Sequence, residues 1–281
     1  MRLRCTLILP SKNSPNEGGY LFLAVNQKNL ASFLNDRVQR YNRTDFIAGD
    51  PICVPHRFSR QQDIEIAGFF AAIFAWGNRT TIIAKATELM ALMDNAPYQF
   101  VLHHTPADLR RLASFGHRTF KTDDLYYFIE FFHRHYSKYD SLEDAFARGL
   151  KRGDKTVENA LMGFRKYFFE DEHLRRTEKH ISSPLQKSSC KRLNMYLRWM
   201  VRTGNCGVDF GLWKKIKPAQ LVCPLDVHVA RVARSLGILR RKQTDWEAAL
   251  ELTAYLRTLD KNDPVKYDFA LFGLGVMEKY V

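Results

Sequence analysis

Asp226 directly precedes an amphipathic stretch, which predicts that it caps a helix over 227–237. Arg231 and Arg234 follow on the face away from the apolar stripe. A capping carboxylate accepts backbone N–H groups, and the helix dipole keeps it ionised. The same rigid negative charge could stabilise a positive charge that develops in a reacting molecule beside a polyanion. The two roles are compatible, and the residues alone leave both open.

Lys191 is the second side chain that could do chemistry. In a helix predicted over 187–203, the apolar side chains form one stripe, whereas Lys187, Lys191, Asn194 and Arg198 share another face. A lysine in that position is ordinarily a solvated charge. An amine can instead act as a nucleophile on an electrophilic carbon. Both interpretations stay open at this point.

A polar turn at 76–81 joins two strongly apolar helices, predicted over 61–76 and 79–93. The pattern is typical of a tight turn between two helices, with Gly77 as the C-cap glycine of the first helix. The alternative is a polar tip that reaches into a groove, in which Asn78 and Arg79 would act as reading or wedge residues. The histidine pairs at 103–104 and 133/135 have no third ligand at a suitable spacing, so we predict no metal site.

The charge of the chain is positive and concentrated. The formal net charge is +13, and the segment 187–242 holds thirteen Lys or Arg but only two acids, a net +11. Such an excess favours an anionic partner, although a solvated basic face is the simpler interpretation. The five cysteines form no CxxC pair, which predicts free thiols in a reducing cytoplasm. There is no apolar run of about 18 residues, so we predict no membrane span.

From about residue 26 the periodicity is helical and predicts an all-α protein. Residues 1–25 differ, and could form two short strands or a loose extension. Within 26–281 we predict two lobes, approximately 45–175 and 187–281, with a cleft between them and a first helix, 27–41, on either lobe. The other predicted helices cover 61–76, 79–93, 106–113, 122–138, 141–151, 155–170, 187–203, 227–237, 244–258 and 264–279.

Three segments carry a resemblance to a known superfamily. The stretch 224–232, PLDVHVARV, resembles the "VDTHVxRV" signature of the helix-hairpin-helix, endonuclease III-like DNA glycosylases. The stretch 66–78, IAGFFAAIFAWGN, is similar to the early "LLSAQxT" helix and turn of that superfamily. The stretch 268–275, DFALFGLG, resembles its closing helix. The resemblance implies two helical lobes that flank a DNA cleft, with the aspartate at position 226 catalytic.

The chain also resembles a bacterial family of unknown function within that superfamily. Its motifs "EIAGFxAAxxAWGNR", "KRLNMxLRWMVR" and "PLDVHVxRVAR" cover roughly 27–280. The glycine-rich hairpin of many members is absent, Val208 stands about where their lysine lies, and Lys191 lies 35 residues ahead of Asp226. That spacing is similar to the archaeal 8-oxoguanine glycosylase branch. The four-cysteine iron–sulfur signature is also absent, so no cluster and no other cofactor is expected.

The resemblance implies a base-excision repair glycosylase that flips an oxidised purine, such as 8-oxoguanine, out of double-stranded DNA. Lys191 would form a Schiff base with the sugar, as in a bifunctional glycosylase and AP lyase, and Asp226 would assist. We expect a cytoplasmic monomer at the bacterial nucleoid. Trp76, Asp268 and Phe272 would line the base pocket. The expected DNA contacts are Asn78, Arg79, Lys187, Arg192, Arg198, Arg231 and Arg234.

Two alternatives remain. The chain could be a non-catalytic DNA- or RNA-binding helical protein that retains the fold, and the missing hairpin favours this alternative. It could also be a basic scaffold for protein interactions. The enzyme hypothesis requires that Lys191 and Asp226 line one pocket, and it fails if they do not.

Overall fold

A computed structural model of the chain describes residues 27–204 and 206–280. Helices account for the regular structure of these residues, which contain three isolated β-bridges and no strand, so the all-α prediction is confirmed. The two strands considered for 1–25 lie outside the described residues. The α-helices are α1 Gln27–Tyr41, α2 Gln61–Phe74, α3 Arg79–Leu92, α4 Pro97–His103, α5 Pro106–Arg111, α6 Thr122–Tyr136, α7 Glu143–Ala147, α8 Glu158–Phe168, α9 Lys191–Val201, α10 Val227–Ser235, α11 Trp246–Leu259 and α12 Tyr267–Val276.

Helix α2 runs through the interior. Every residue from Ile64 to Phe74 is buried, as expected of a helix that is apolar on all sides. It packs closely against α9 at Gly68, where an added Cβ would lie 3.0 Å from the Met200 side chain. Tyr196 of α9 also donates a hydrogen bond from its hydroxyl to the Glu65 carbonyl oxygen, at 3.0 Å. These contacts fix the direction of α9, and with it the side chains at its first turn.

Helix α1 lies against α12. The Tyr41 ring covers the backbone of Gly273, and its hydroxyl donates to the Glu278 carboxylate at 2.6 Å. On its other side α12 contacts α10, where an added Cβ at Gly275 would lie 3.2 Å from the Cβ of His228. Helix α12 therefore supports the helix that Asp226 begins.

Several helix boundaries differ from the predicted ones. Helix α9 begins at Lys191 rather than at 187, because Lys187 and Cys190 take left-handed conformations, with φ of 57° and 50°. Helix α4 was not predicted, although Pro97 stands at its first position, a favourable place for proline. Among the described residues, no helix combines the length and the apolar character needed to cross a bilayer.

Candidate functional site

A cavity with a volume of about 730 Å³ lies among the described residues. It is lined by the turns before α2, the turn between α2 and α3 with the first residues of α3, helix α9 and Ser189 before its start, helix α10 with the chain before it, Thr244, and helix α12. Its polar and charged side chains include Asp50, Arg79, Ser189, Lys191, Arg192, Arg198, Asp226, His228, Thr244 and Asp268. Of the predicted site residues, both catalytic candidates and all three base-pocket candidates line this one cavity.

Lys191 is the first residue of α9, and its side chain is half-buried in the cavity wall. Its Nζ lies 3.5 Å from the sulfur of Met195, one turn further along the helix. It forms no ion pair with any described residue, although carboxylates line the same cavity. The amine is therefore a cation of the cavity that no described carboxylate neutralises by direct contact.

Asp226 is the N-cap of α10, as predicted. Its Oδ1 accepts the backbone N–H groups of His228 at 2.9 Å and Val229 at 3.0 Å. The other carboxylate oxygen accepts no hydrogen bond from the described residues. The cap thus holds the carboxylate rigidly through one oxygen and leaves the second for the cavity that Asp226 lines.

A hydrogen bond ties the chain near Lys191 to the chain near Asp226. The hydroxyl of Ser189 donates to the carbonyl oxygen of Leu225 at 3.1 Å. Ser189 stands two residues before the lysine, and Leu225 directly precedes the aspartate. The two candidate catalytic residues, 35 positions apart in sequence, are therefore neighbours in the fold as well as members of one cavity.

A buried ion network underlies the cavity. Arg198 bonds Asp268 at 2.5 Å and Asp209 at 3.3 Å, and Arg202 continues the network from Asp209 to Asp263. Burial raises the pKa of Asp268 to about 6, and the Asp226 charge adds to this effect, whereas Arg198 opposes it. Asp268 thus presents a carboxyl group that titrates near pH 6 to the cavity.

Two aromatic side chains of the cavity wall carry arginines on their faces. The Arg118 guanidinium lies 4.2 Å from the ring centroid of Trp76, and that of Arg79 lies 5.1 Å from the ring centroid of Phe272. Gly77, with φ of 103°, makes room for Arg118, because an added Cβ would collide with the guanidinium. Sequence reasoning missed Arg118, which no local pattern connects to Trp76.

Sequence reasoning also missed Asp50. It lies in the cavity wall with 7% of its surface exposed, and its Oδ1 accepts the backbone N–H of Ile52 at 3.1 Å. Burial raises its pKa, and the nearby Arg198 charge opposes this effect. The Asp-Pro pair at 50–51 predicts a turn start. Nothing in that pattern indicates a cavity that forms with chain more than 130 residues away.

Three of the arginines predicted to contact DNA donate hydrogen bonds to other groups of the protein through their guanidinium groups. Arg198 is 3% exposed and bonds two carboxylates, so the expected phosphate contact would compete with this pairing. Arg192 donates to the carbonyl oxygen of Ile73 at 2.6 Å, beside the cavity. Arg234 donates to carbonyl oxygens of residues 241–243 and to Thr244.

The remaining predicted contacts lie at or near the surface. Lys187 and Arg231 are exposed, and Arg231 donates one hydrogen bond, to the carbonyl oxygen of Gly275 at 3.2 Å. Asn78 is the exposed N-cap of α3 and accepts the Thr81 N–H at 3.1 Å. Arg79 donates to the Gly49 carbonyl oxygen at 3.3 Å. In the described part of the chain, no group of three or more His, Cys, Asp or Glu side chains has a metal-binding arrangement.

Comparison with known proteins relates the chain to one family. The family described as "Protein of unknown function (DUF2400)" matches residues 50–277, a range that includes every cavity-lining residue except Phe46. No curated protein and no solved structure matches the chain. Because the match covers most of its length, the chain belongs to the DUF2400 family.

Proposed function

We propose that this protein is a DNA base-excision glycosylase with AP lyase activity, built on the two-lobed helix-hairpin-helix fold. One observation carries the proposal: Lys191 and Asp226 line a single cavity, with the Ser189–Leu225 hydrogen bond between their chain segments. An amine without a carboxylate contact and a rigid carboxylate with one open oxygen are the two groups that this chemistry requires.

The reaction uses one damaged nucleotide that is flipped out of the duplex into the cavity. The neutral Lys191 amine forms a bond to C1′, and the glycosidic bond breaks with its electron pair on the base. The attached nitrogen loses a proton, and the base takes one up. The C1′–O4′ bond then breaks, O4′ takes its electron pair and a proton, and a protonated Schiff base forms. Loss of a proton from C2′ forms the C2′–C3′ double bond, and the C3′–O bond breaks as the 3′ phosphate leaves. The open oxygen of Asp226 stabilises the positive charge that develops at C1′.

The polar groups of the cavity favour a purine edge that donates hydrogen bonds. Asp268 is a buried carboxyl group of the cavity wall, so it offers an acceptor oxygen to an N–H group of a base. Trp76 and Phe272 offer ring faces once the arginines over them move aside. These features support an oxidised purine such as 8-oxoguanine, whose ring carries N–H donors.

Borohydride trapping tests the lyase chemistry. The wild type is incubated with duplexes that carry 8-oxoguanine, other lesions or an abasic site, and borohydride then reduces any Schiff base to a stable adduct. We expect an adduct with the wild type and none with Lys191→Gln. Lys166→Gln is the matched control, since it removes an exposed lysine of α8 that does not line the cavity. No wild-type adduct with any lesion, or an adduct that persists in Lys191→Gln, would contradict the assignment.

A base-release assay tests Asp226 separately from its structural role. Asp226→Asn keeps an oxygen for the two helix N–H groups, so we expect a free energy of unfolding close to that of the wild type. Base release should fall by about 100-fold or more, because the negative charge is lost. Asp226→Ala should lose about 1 kcal/mol of stability in addition. Wild-type rates for Asp226→Asn would leave Asp226 as a cap only.

The alternative is a DNA- or RNA-binding protein without catalysis. The two hydrogen bonds at Asp226 Oδ1 favour it, since capping alone accounts for an aspartate at that position. In that case the protein binds duplexes, but neither adduct nor base release is detected with any lesion. Retained binding by Lys191→Gln would then accompany the absence of chemistry.

A further inference from the structure

Asp50 has one carboxylate oxygen that the fold does not use. Its Oδ1 caps the short turn at Pro51–Cys53 through the Ile52 N–H, whereas its Oδ2 takes no hydrogen bond and no ion pair from a described residue. The side chain is 7% exposed and lies in the cavity wall. A buried carboxylate is costly unless a cation compensates its charge. The contacts that each nearby cation already makes show which of them is available to Asp50.

Arg198, Lys191 and Arg79 line the same cavity as Asp50. Burial raises the pKa of Asp50, whereas their positive charges lower it. Arg198 is committed to Asp209 and Asp268 by direct contact. Arg79 donates to the Gly49 carbonyl oxygen and lies over Phe272. Lys191 is the one of the three that forms no bond to an oxygen of the described residues.

We propose that Asp50 is a positioning residue for Lys191: its open oxygen holds the protonated amine inside the cavity by charge. The role rests on the proposed function, in which that amine attacks the nucleotide. The ammonium becomes the nucleophilic amine when one proton leaves Nζ for solvent, and no other bond forms or breaks in that step. The neutral amine is then already inside the cavity, and not in bulk water, when it attacks. The other charged or titratable groups of the cavity that surround Lys191 are Arg79, Arg192, Arg198, Asp226, His228 and Asp268.

The other two aspartates of the cavity are less suited to this role. Asp268 is bonded directly to the Arg198 guanidinium. In the proposed function the open oxygen of Asp226 stabilises the positive charge that develops at C1′ of the sugar. Asp50 combines burial, an open oxygen and no direct cation contact. Replacing Asp50, Asp226 and Asp268 by Asn in separate variants shows which of the three carboxylates acts on Lys191.

The first test needs no DNA. Lys191 of the folded protein is methylated with formaldehyde and cyanoborohydride between pH 6 and 10, and its labelling rate is followed by mass spectrometry. Asp50→Asn keeps the acceptor for the Ile52 N–H but removes the charge. We expect Lys191 to react about tenfold faster at neutral pH in this variant, because loss of a nearby negative charge favours the neutral amine. The matched control is Asp45→Asn, an exposed acid of the preceding turn, which should behave as the wild type.

The second test uses borohydride trapping across pH. In Asp50→Asn, the acid limb of the trapping rate should move to lower pH, and the maximum rate should fall because the amine is no longer held. A purely structural role would lower the rate equally at every pH and leave the labelling of Lys191 unchanged. Asp50→Ser, which can also cap through its hydroxyl, repeats both tests if Asp50→Asn folds poorly.

The outcomes separate this inference from the proposed function. Labelling that is unchanged in Asp50→Asn, or that responds only to Asp268→Asn or Asp226→Asn, overturns the role of Asp50. Faster labelling in Asp50→Asn together with no wild-type adduct on any duplex supports the Asp50–Lys191 pair and rejects the lyase chemistry. Faster labelling together with a shifted acid limb supports both.

Discussion

At the scale of single residues, Asp226 shows how one side chain can serve structure and chemistry. Its two oxygens are divided, one to the helix N–H groups and one to the cavity. A cap is a local motif, so the sequence predicted it correctly. The proximity of Lys191 is not local, and it depends on the packing of α9 and α10 around the cavity. The same distinction explains why Asp50 was missed, since its neighbours come from other parts of the chain.

Glu65 is a buried carboxylate that belongs to the core rather than to the cavity. Its surface is fully buried, and no cation contacts it. Burial raises its pKa, and the hydrogen bonds to it oppose this effect. Hydrogen bonds to the Glu65 carboxyl group join α2 to the chain before α7 and to the Trp213 indole, which follows α9. The donors are the side chains of Gln61, Tyr136, Ser141 and Trp213 and the backbone N–H of Leu142.

Replacing Glu65 should destabilise the whole fold. Glu65→Gln places an amide among groups that donate, so at least one donor loses its acceptor at a cost of about 1–3 kcal/mol. Urea unfolding measures the change. Glu88→Gln, on the neighbouring helix α3 and exposed to solvent, is the matched control and should change the free energy of unfolding by less than about 0.5 kcal/mol. Equal stability of the two variants would contradict the structural role of Glu65.

At the scale of elements, the start of α9 decides where the amine lies. Lys187 lies one helical turn before Lys191 in the spacing of the polar face, which is why the sequence predicted an earlier helix start. Lys187 and Cys190 instead take left-handed conformations, and Ser188 pairs with Asp245 in an isolated bridge. Residues other than glycine adopt that region only when tertiary contacts favour it. Lys191 therefore enters the cavity from the first turn of α9 rather than from its middle.

The contact between α1 and α12 depends on the absence of a side chain at Gly273. An added Cβ would overlap the Tyr41 ring, so Gly273→Ala should lower the free energy of unfolding by about 1–3 kcal/mol. Thermal or urea unfolding measures the loss. Gly49→Ala is the control, since nothing lies within 4 Å of its added Cβ. Tyr41→Ala in the same chain should relieve the collision, and a full additive loss in the double variant would contradict this explanation.

At the scale of the whole molecule, the basic excess is smaller at the surface than the sequence suggests. Arg198 and Arg202 lie inside the ion network, and Arg192 and Arg234 donate to backbone carbonyl oxygens. The exposed lysines and arginines of 187–242 remain available to an anionic partner. Composition predicts the sign of the charge, whereas the fold decides which charges solvent can reach.

Acid should destabilise the protein in two steps. Burial would raise the pKa of Asp124, but the His180 imidazole beside it and hydrogen bonds from the Lys121 N–H and the Thr177 hydroxyl lower it to about 2. A lowered carboxyl pKa contributes stability above about pH 4 that disappears as the pH falls towards 2. Burial also lowers the pKa of His135 to about 4, so the native state resists a proton that the unfolded chain accepts below about pH 6.5.

Urea unfolding between pH 7 and 2 checks this prediction. Asp124→Asn should lose about 2 kcal/mol at pH 7, and its stability should change less than that of the wild type below pH 4. Asp123→Asn, an exposed neighbour on α6, should follow the wild-type curve. The carboxyl of Asp268 acts in the opposite sense between pH 4 and 6, because a raised pKa favours the native state at lower pH. A wild-type curve that is flat from pH 7 to 3 would contradict the assignment to Asp124 and His135.

The sequence by itself determined the helical class, most helix positions, the capping role of Asp226 and the concentration of positive charge. These depend on periods of 3.6 residues, on cap residues and on composition, all of which are local. Only the tertiary structure decided that Lys191 and Asp226 share a cavity, that Asp50 and Arg118 belong to its surroundings, and that Arg198 is buried. Those facts depend on contacts between distant segments, which close packing creates and no local pattern encodes.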